Sequence, residues 1–294
     1  MVRRADGAPR GPRTLTIGVF DSGVGGLTVT ADLRQALPDA RIVYLADTAH
    51  APYGNKPPDQ VVELVLAGLD RLVEAGADVL VVACNTAAAA GLAVARSRYP
   101  VPVVDVVAPT ARAAIDRLAA AGAVGRPIGV LGTAATIAAG VYPRALSAVA
   151  GATVVGVAGP ELVTLVERGT TTGALAGAVV RRRVAPIVEA GVGALILGCT
   201  HFPFLAPAIR AAVGDAVPLV TAGPGTAAAT AAAVGREVAY GPRPASRDLL
   251  ATVDLRCTGD PRRFARTVER LFARAGAGDL SRPMPGDHRL PVTV

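Results

Sequence analysis

DVLVVACNT at 78–86 and GALILGCTH at 193–201 share one pattern: an apolar run without alternation, a cysteine, then residues bearing amide, hydroxyl or imidazole groups. Short apolar runs of this kind read as parallel strands covered on both faces. The two stretches are offset by 115 residues (78 to 193). A second matched pair precedes them, TIGVFDSG at 16–23 and PIGVLGTA at 127–134, offset by 111 residues (16 to 127). Chance likeness between apolar strands explains either pair alone. Both together, in the same order and at nearly the same distance, predict two related lobes, each placing one cysteine at the C-terminal end of a strand.

The same rhythm continues outward. Strand candidates fall at 14–20, 41–46, 78–83, 102–107, 128–132, 153–157, 194–198 and 217–221. Helical patterns lie between them, such as 58–75, where Val61, Val62, Val65, Leu66, Leu69 and Leu72 fall on one side, Pro57 and Pro58 open the helix and Gly76 closes it. The fold class is α/β, with two pseudo-symmetric lobes built on mainly parallel sheets flanked by helices. Lobe one is expected over 14–108 plus 222–274 and lobe two over 109–221, between a disordered basic tail at 1–13 and a C-terminal tail at 275–294. Ligands of open parallel sheets bind outside the C-terminal strand ends, so facing lobes would bring Cys84 and Cys199 to one cleft.

Composition narrows the function classes. The chain has 294 residues, 51% hydrophobic and 18% charged, which excludes a disordered polymer. Its net charge of +7 comes from arginines in separate places, and aromatic residues are only 3%. Arg262 to Arg274 accompany an apolar helical face of Phe264, Val268, Leu271 and Phe272, so they read as a solvated surface. With no recognition module and few rings to stack bases, dedicated nucleic-acid binding is not expected. Three cysteines give neither a disulfide framework nor metal-ligand spacing. Leu15 to Phe20 is too short for a signal-peptide core, and no run is long enough to cross a membrane. The expectation is a cytoplasmic protein without a metal.

A lone cysteine after a strand is usually a small core residue. Its repetition here points instead to a matched acid–base pair, one thiolate removing a proton from carbon while the opposite thiol delivers one. A helix N-terminus following each cysteine is expected to lower the thiol pKa. Asp21 and Ser22 occupy the first strand-to-helix turn, where glycines let backbone N–H groups approach a carboxylate, although Asp21 also reads as a plain N-cap. His201, two residues after Cys199, reads either as a structural histidine or as that thiol's acid–base partner. His50, His288 and Cys257 have no such setting. Lys56 is the only lysine, in a Gly-Asn-Lys-Pro-Pro loop without a phosphate cradle, so a pyridoxal phosphate Schiff base is not expected and no cofactor is assigned.

IGVFDSGVGGLTV (17–29), YLADTAHAPYGNK (44–56), VVACNTAAA (81–89), PVVDVVAPTARAA (102–114), IGVLGTAATI (128–137), LVERG (165–169) and LILGCTHFPFL (195–205) together resemble the glutamate racemases of the aspartate/glutamate racemase group. The resemblance implies cofactor-independent interconversion of L- and D-glutamate for peptidoglycan synthesis, by two α/β lobes that often form a homodimer. It implies that Cys84 and Cys199 are the acid–base thiols, Asp21 and His201 their assisting groups, and Glu167 a supporting carboxylate. It marks Ser22, Tyr53, Gly54, Asn85, Thr86 and Thr200 as substrate binders, with Thr133 and Thr136 nearby. GPELV at 159–163 and VTAGPGTAAAT at 220–230 depart from the family pattern. Two alternatives stay open: a racemase of a related acid such as aspartate, and an added interaction role inhibiting DNA gyrase, which the basic tail would serve.

Overall fold

The computed structural model describes residues 14–238 and 246–272. The strands are β1 (Thr16–Asp21), β2 (Arg41–Ala46), β3 (Val79–Val82), β4 (Val103–Asp105), β5 (Ile128–Gly132), β6 (Val154–Ala158), β7 (Ala194–Gly198), β8 (Leu219–Val220) and β9 (Val253–Cys257). The helices are α1 (Leu27–Ala36), α2 (Pro58–Glu74), α3 (Asn85–Arg98), α4 (Val107–Ala120), α5 (Ala134–Ala138), α6 (Val141–Ala150), α7 (Pro160–Glu167), α8 (Gly173–Glu189), α9 (Ala206–Val213), α10 (Ala222–Ala233), α11 (Ser246–Thr252) and α12 (Pro261–Phe272).

Two sheets form. The first runs β4-β3-β1-β2-β9 and the second β6-β5-β7-β8, and every strand pairing is parallel. Read from the opposite edge, the second is β8-β7-β5-β6, which matches β4-β3-β1-β2 strand for strand. The internal repeat in the sequence is therefore a repeat of topology. The cores of β1, β3 and β7 are buried, as continuous apolar runs demand: Ile17, Val19, Val79 to Val82 and Leu195 to Leu197 are at most 1% exposed, whereas β6, an edge strand, is only partly buried despite its apolar run.

β9 is the strand that the apolar pattern misses. Val-Asp-Leu-Arg-Cys alternates because β9 is an edge strand pairing only with β2, and Asp254 uses its outward side to bind Arg41 at 2.9 Å and Arg256 at 2.8 Å. The basic C-terminal pattern folds as expected into α12, with Phe264, Val268, Leu271 and Phe272 buried. Phe272 meets Phe204 edge-on, ring centroids 5.3 Å apart.

α2 covers β1, and at Gly68 the helix lies against the Phe20 ring so closely that any Cβ would overlap it. Gly68→Ala adds roughly 1 kcal/mol of helix propensity, but overpacking a filled core costs about 1–3 kcal/mol. The steric cost wins, so the variant should unfold at lower urea concentration than the parent chain. A midpoint equal to or above the parent's would show that the ring has room to move.

Candidate active site

Both cysteines sit at strand ends, for the same local reason. β3 stops at Val82, Ala83 N–H still donates to Phe20 O at 2.8 Å, and Cys84 becomes the residue capping α3. Cys199 follows the last residue of β7 directly, but a short 3-10 turn at Phe202–Leu205 precedes α9 there. Both thiols are buried, and both line one cavity of about 250 Å³ between the two sheets. That volume suits a small metabolite rather than a drug-sized ligand.

Of the residues picked out in the sequence, Ser22, Tyr53, Gly54, Cys84, Asn85, Thr86, Thr133, Glu167, Cys199, Thr200 and His201 line this cavity. Asp21 and Thr136 stand behind the wall. Asp21 ends β1, is fully buried, and accepts from Gly23 N–H at 2.9 Å and from the Thr200 hydroxyl at 3.3 Å. It is not the N-cap of α1, which begins six residues later at Leu27 with Gly26 before it. Thr136 donates or accepts within a hydroxyl cluster, 2.9 Å from Thr133 and 3.4 Å from Thr86. His50 lies off the cavity, paired with Asp47 at 2.9 Å; His288 is outside the described residues.

The two sheets meet through small and polar groups. Thr86 bonds Thr133 at 2.9 Å, and Tyr142 on α6 donates to Asn85 Oδ1 at 2.7 Å. Gly25 must be glycine in this packing, because a Cβ there would run into the Thr200 side chain and come 2.8 Å from His201 Nδ1. Tyr142 and Asp47 escape sequence reading. Tyr142 lies in a helix with no motif around it, and Asp47 looks like an ordinary loop acid. Yet Asp47 accepts from Tyr53, whose hydroxyl is thereby turned onto a carboxylate 2.5 Å away, and from Thr258 after β9.

The thiol at Cys84 departs from the expectation of a lowered pKa. Burial raises it first, the Asp21 carboxylate raises it further, and these outweigh the Ser22 hydroxyl at 3.5 Å and the Ala87 N–H at the start of α3. The result is about 12, so Cys84 holds its proton at neutral pH. His201 moves the other way. Burial alone would lower the imidazole, but Cys199, with Sγ 3.9 Å from Nδ1, and Glu167, with Oε1 3.5 Å from Nε2, raise it to about 10. Glu167 in turn is held below the usual carboxylate range, first by its pairing with His201. One side thus presents a protonated thiol and the other a cysteine sulfur beside an imidazolium.

No lysine lines the cavity. Among the described residues no group of His, Cys, Asp and Glu could hold a metal ion, and no helix is long and apolar enough to cross a membrane.

The family model for Asp/Glu/Hydantoin racemases matches residues 17–233. A glutamate racemase of Parafrankia sp. is 45% identical over 260 residues, covering 87% of this chain and 90% of that protein. Among solved structures, a glutamate racemase isoform from Bacillus anthracis is 32% identical with a TM-score of 0.75, covering 87% of this chain and 93% of its own. The glutamate racemase from Thermus thermophilus in complex with beta-chloro-D-alanine is 37% identical with a TM-score of 0.72, covering 90% and 95%. Matched pairs of strands, a shared cavity and these similarities over most of the chain agree: the protein belongs to the Asp/Glu/Hydantoin racemase family of isomerases.

Proposed function

We propose that this chain interconverts L- and D-glutamate by two-thiol acid–base catalysis, with Cys84 and Cys199 on opposite sides of the substrate α-carbon. The observation that carries this reading is the pair of buried thiols, one from each half of the topological repeat, facing one small cavity. One sulfur takes the α-proton as the other gives a proton to the opposite face, which inverts the centre. Asp21 then acts beside Cys84 and His201 with Glu167 beside Cys199. Ser22, Asn85, Thr86, Thr133 and Thr200 supply N–H and O–H donors for the carboxylates of a small anionic amino acid, with Tyr53 and Gly54 forming the facing wall.

Glutamate is preferred over aspartate because the similar proteins described above, 32–45% identical, are named glutamate racemases. D-glutamate for peptidoglycan, a cytoplasmic site of action and a homodimer complete the reading. Lobe one comprises 14–108 plus 222–274 and lobe two 109–221, with α4 beginning at Val107 as the crossing element. The gyrase alternative rests on residues 1–13, outside the described residues.

Incubation with L- or D-glutamate in deuterated water, without added cofactor, tests the mechanism. The inverted product should carry deuterium at the α-carbon. Inversion that retains the original hydrogen would exclude two separate thiols, and turnover of aspartate alone would exclude glutamate as substrate.

A further inference from the structure

We propose that Tyr142 is a positioning residue that orients the Asn85 amide toward substrate while its ring abuts the strand end that carries Cys199. The inference rests on the racemase reading above and concerns a residue to which that reading gives no role. Tyr142 is 1% exposed, and its hydroxyl donates to Asn85 Oδ1 at 2.7 Å. Asn85 is itself only 2% exposed, and its Nδ2 has no partner in the protein although it is buried. A buried amide with an idle NH₂ is costly unless a ligand completes it. Asn85 lines the cavity next to Cys84, so the group it lacks is an acceptor oxygen such as a substrate carboxylate.

An amide has two orientations related by a half-turn, and only a neighbour can choose between them. The Tyr142 hydroxyl makes the choice. By holding Oδ1 it leaves both N–H groups for the cavity, whereas the flipped amide would set a carbonyl oxygen against the carboxylate. Burial keeps the phenol above its ordinary range, so it stays a donor at working pH. The ring touches the other half of the site: a Cβ on Gly198, the residue before Cys199, would come 3.0 Å from Tyr142 Cε2. One side chain thus contacts the neighbours of both thiols.

Tyr142→Phe removes the hydroxyl and keeps the ring against Gly198. KM for glutamate should rise roughly tenfold, because an Asn85 amide free to flip weakens its hydrogen bond to the charged carboxylate, while kcat changes less than threefold. Asn85→Ala should raise KM similarly, and adding Tyr142→Phe to it should cause no further rise. Equal KM in Tyr142→Phe and the parent, or full additivity in the double variant, would overturn the proposal. A purely structural role would lower the urea midpoint without splitting KM from kcat. If the Phe variant does not fold, the wild-type Asn85 side-chain amide remains a probe: its ¹⁵N–¹H signals should shift when glutamate saturates the site, and signals unmoved by glutamate would refute the orientation. Racemisation by the parent chain, measured alongside, separates failure of this inference from failure of the function it rests on.

Discussion

Alanine at Cys84 or at Cys199 should lower racemisation by on the order of 10³-fold or more while the chain stays folded. Each substitution removes a single sulfur from a site already open to the cavity, so little packing is lost. The two losses should not add. Inversion needs an acid and a base in the same step, and removing either leaves almost nothing for the second substitution to remove. A more discriminating outcome follows from the geometry. With one thiol left, the same sulfur can take the α-proton and return one from solvent to the same face. Each single variant should therefore exchange the α-hydrogen of one enantiomer slowly, with retention, and the two variants should choose opposite enantiomers. Circular dichroism of the product mixture, together with deuterium content by NMR, reads both quantities. Racemisation within tenfold of the parent in either variant would remove that cysteine from the mechanism.

The parts of this protein visible in its sequence are those in which one physical requirement dominates. Apolar runs mark eight of the nine described strands within a few residues, most of them because both faces are covered, and β6 keeps its apolar run although it is only partly buried. β9 answers to a different requirement: as an edge strand it keeps Asp254 and Arg256 outward, and its Val-Asp-Leu-Arg alternation carries too little signal over five residues. The cysteines were legible because they repeat. Asn85, Thr86 and Thr200 adjoin the cysteines in the chain and Ser22 follows the end of β1, so strand ends carry all four to the cleft; their part as binders is legible only through the family resemblance. What stayed hidden depends on approach across the cleft. Nothing local announces that Tyr142 reaches Asn85, 57 positions away, or that Thr258 reaches Asp47, 211 positions away. The pKa of Cys84 belongs to the same class. A helix N-terminus does follow it and does pull downward, but burial and the Asp21 charge, both tertiary, are larger.

His201→Asn should separate the two sides of the site by pH. In the parent chain the imidazole, ordinarily near 6.5, titrates near 10, so it is an imidazolium throughout the neutral range. Facing Cys199 Sγ, its positive charge stabilises the negative charge on that sulfur as the base that takes the α-proton, while the protonated Cys84 thiol gives a proton to the opposite face. Asparagine keeps a polar group in place but cannot ionise. At pH 8, kcat/KM should fall roughly 10²-fold, the lower part of the range for a positioned acid–base group. The parent profile should decline as pH rises through about 10, and that limb should vanish in the variant, leaving only the later loss set by Cys84 near 12. Stability gives an independent check with a fixed sign. A histidine whose folded pKa is raised stabilises the fold fully below its unfolded value of 6.5, and that contribution fades as pH rises to about 10. Glu167 shares the pair, so breaking it at pH 6 also removes the interaction that holds Glu167 low. The stability gap between parent and His201→Asn should consequently be widest near pH 6 and close by pH 10, as read from urea midpoints. A gap that widens with pH would mean that the imidazole is buried neutral, and the Cys199 side would then lack the positive charge that supports its role as base.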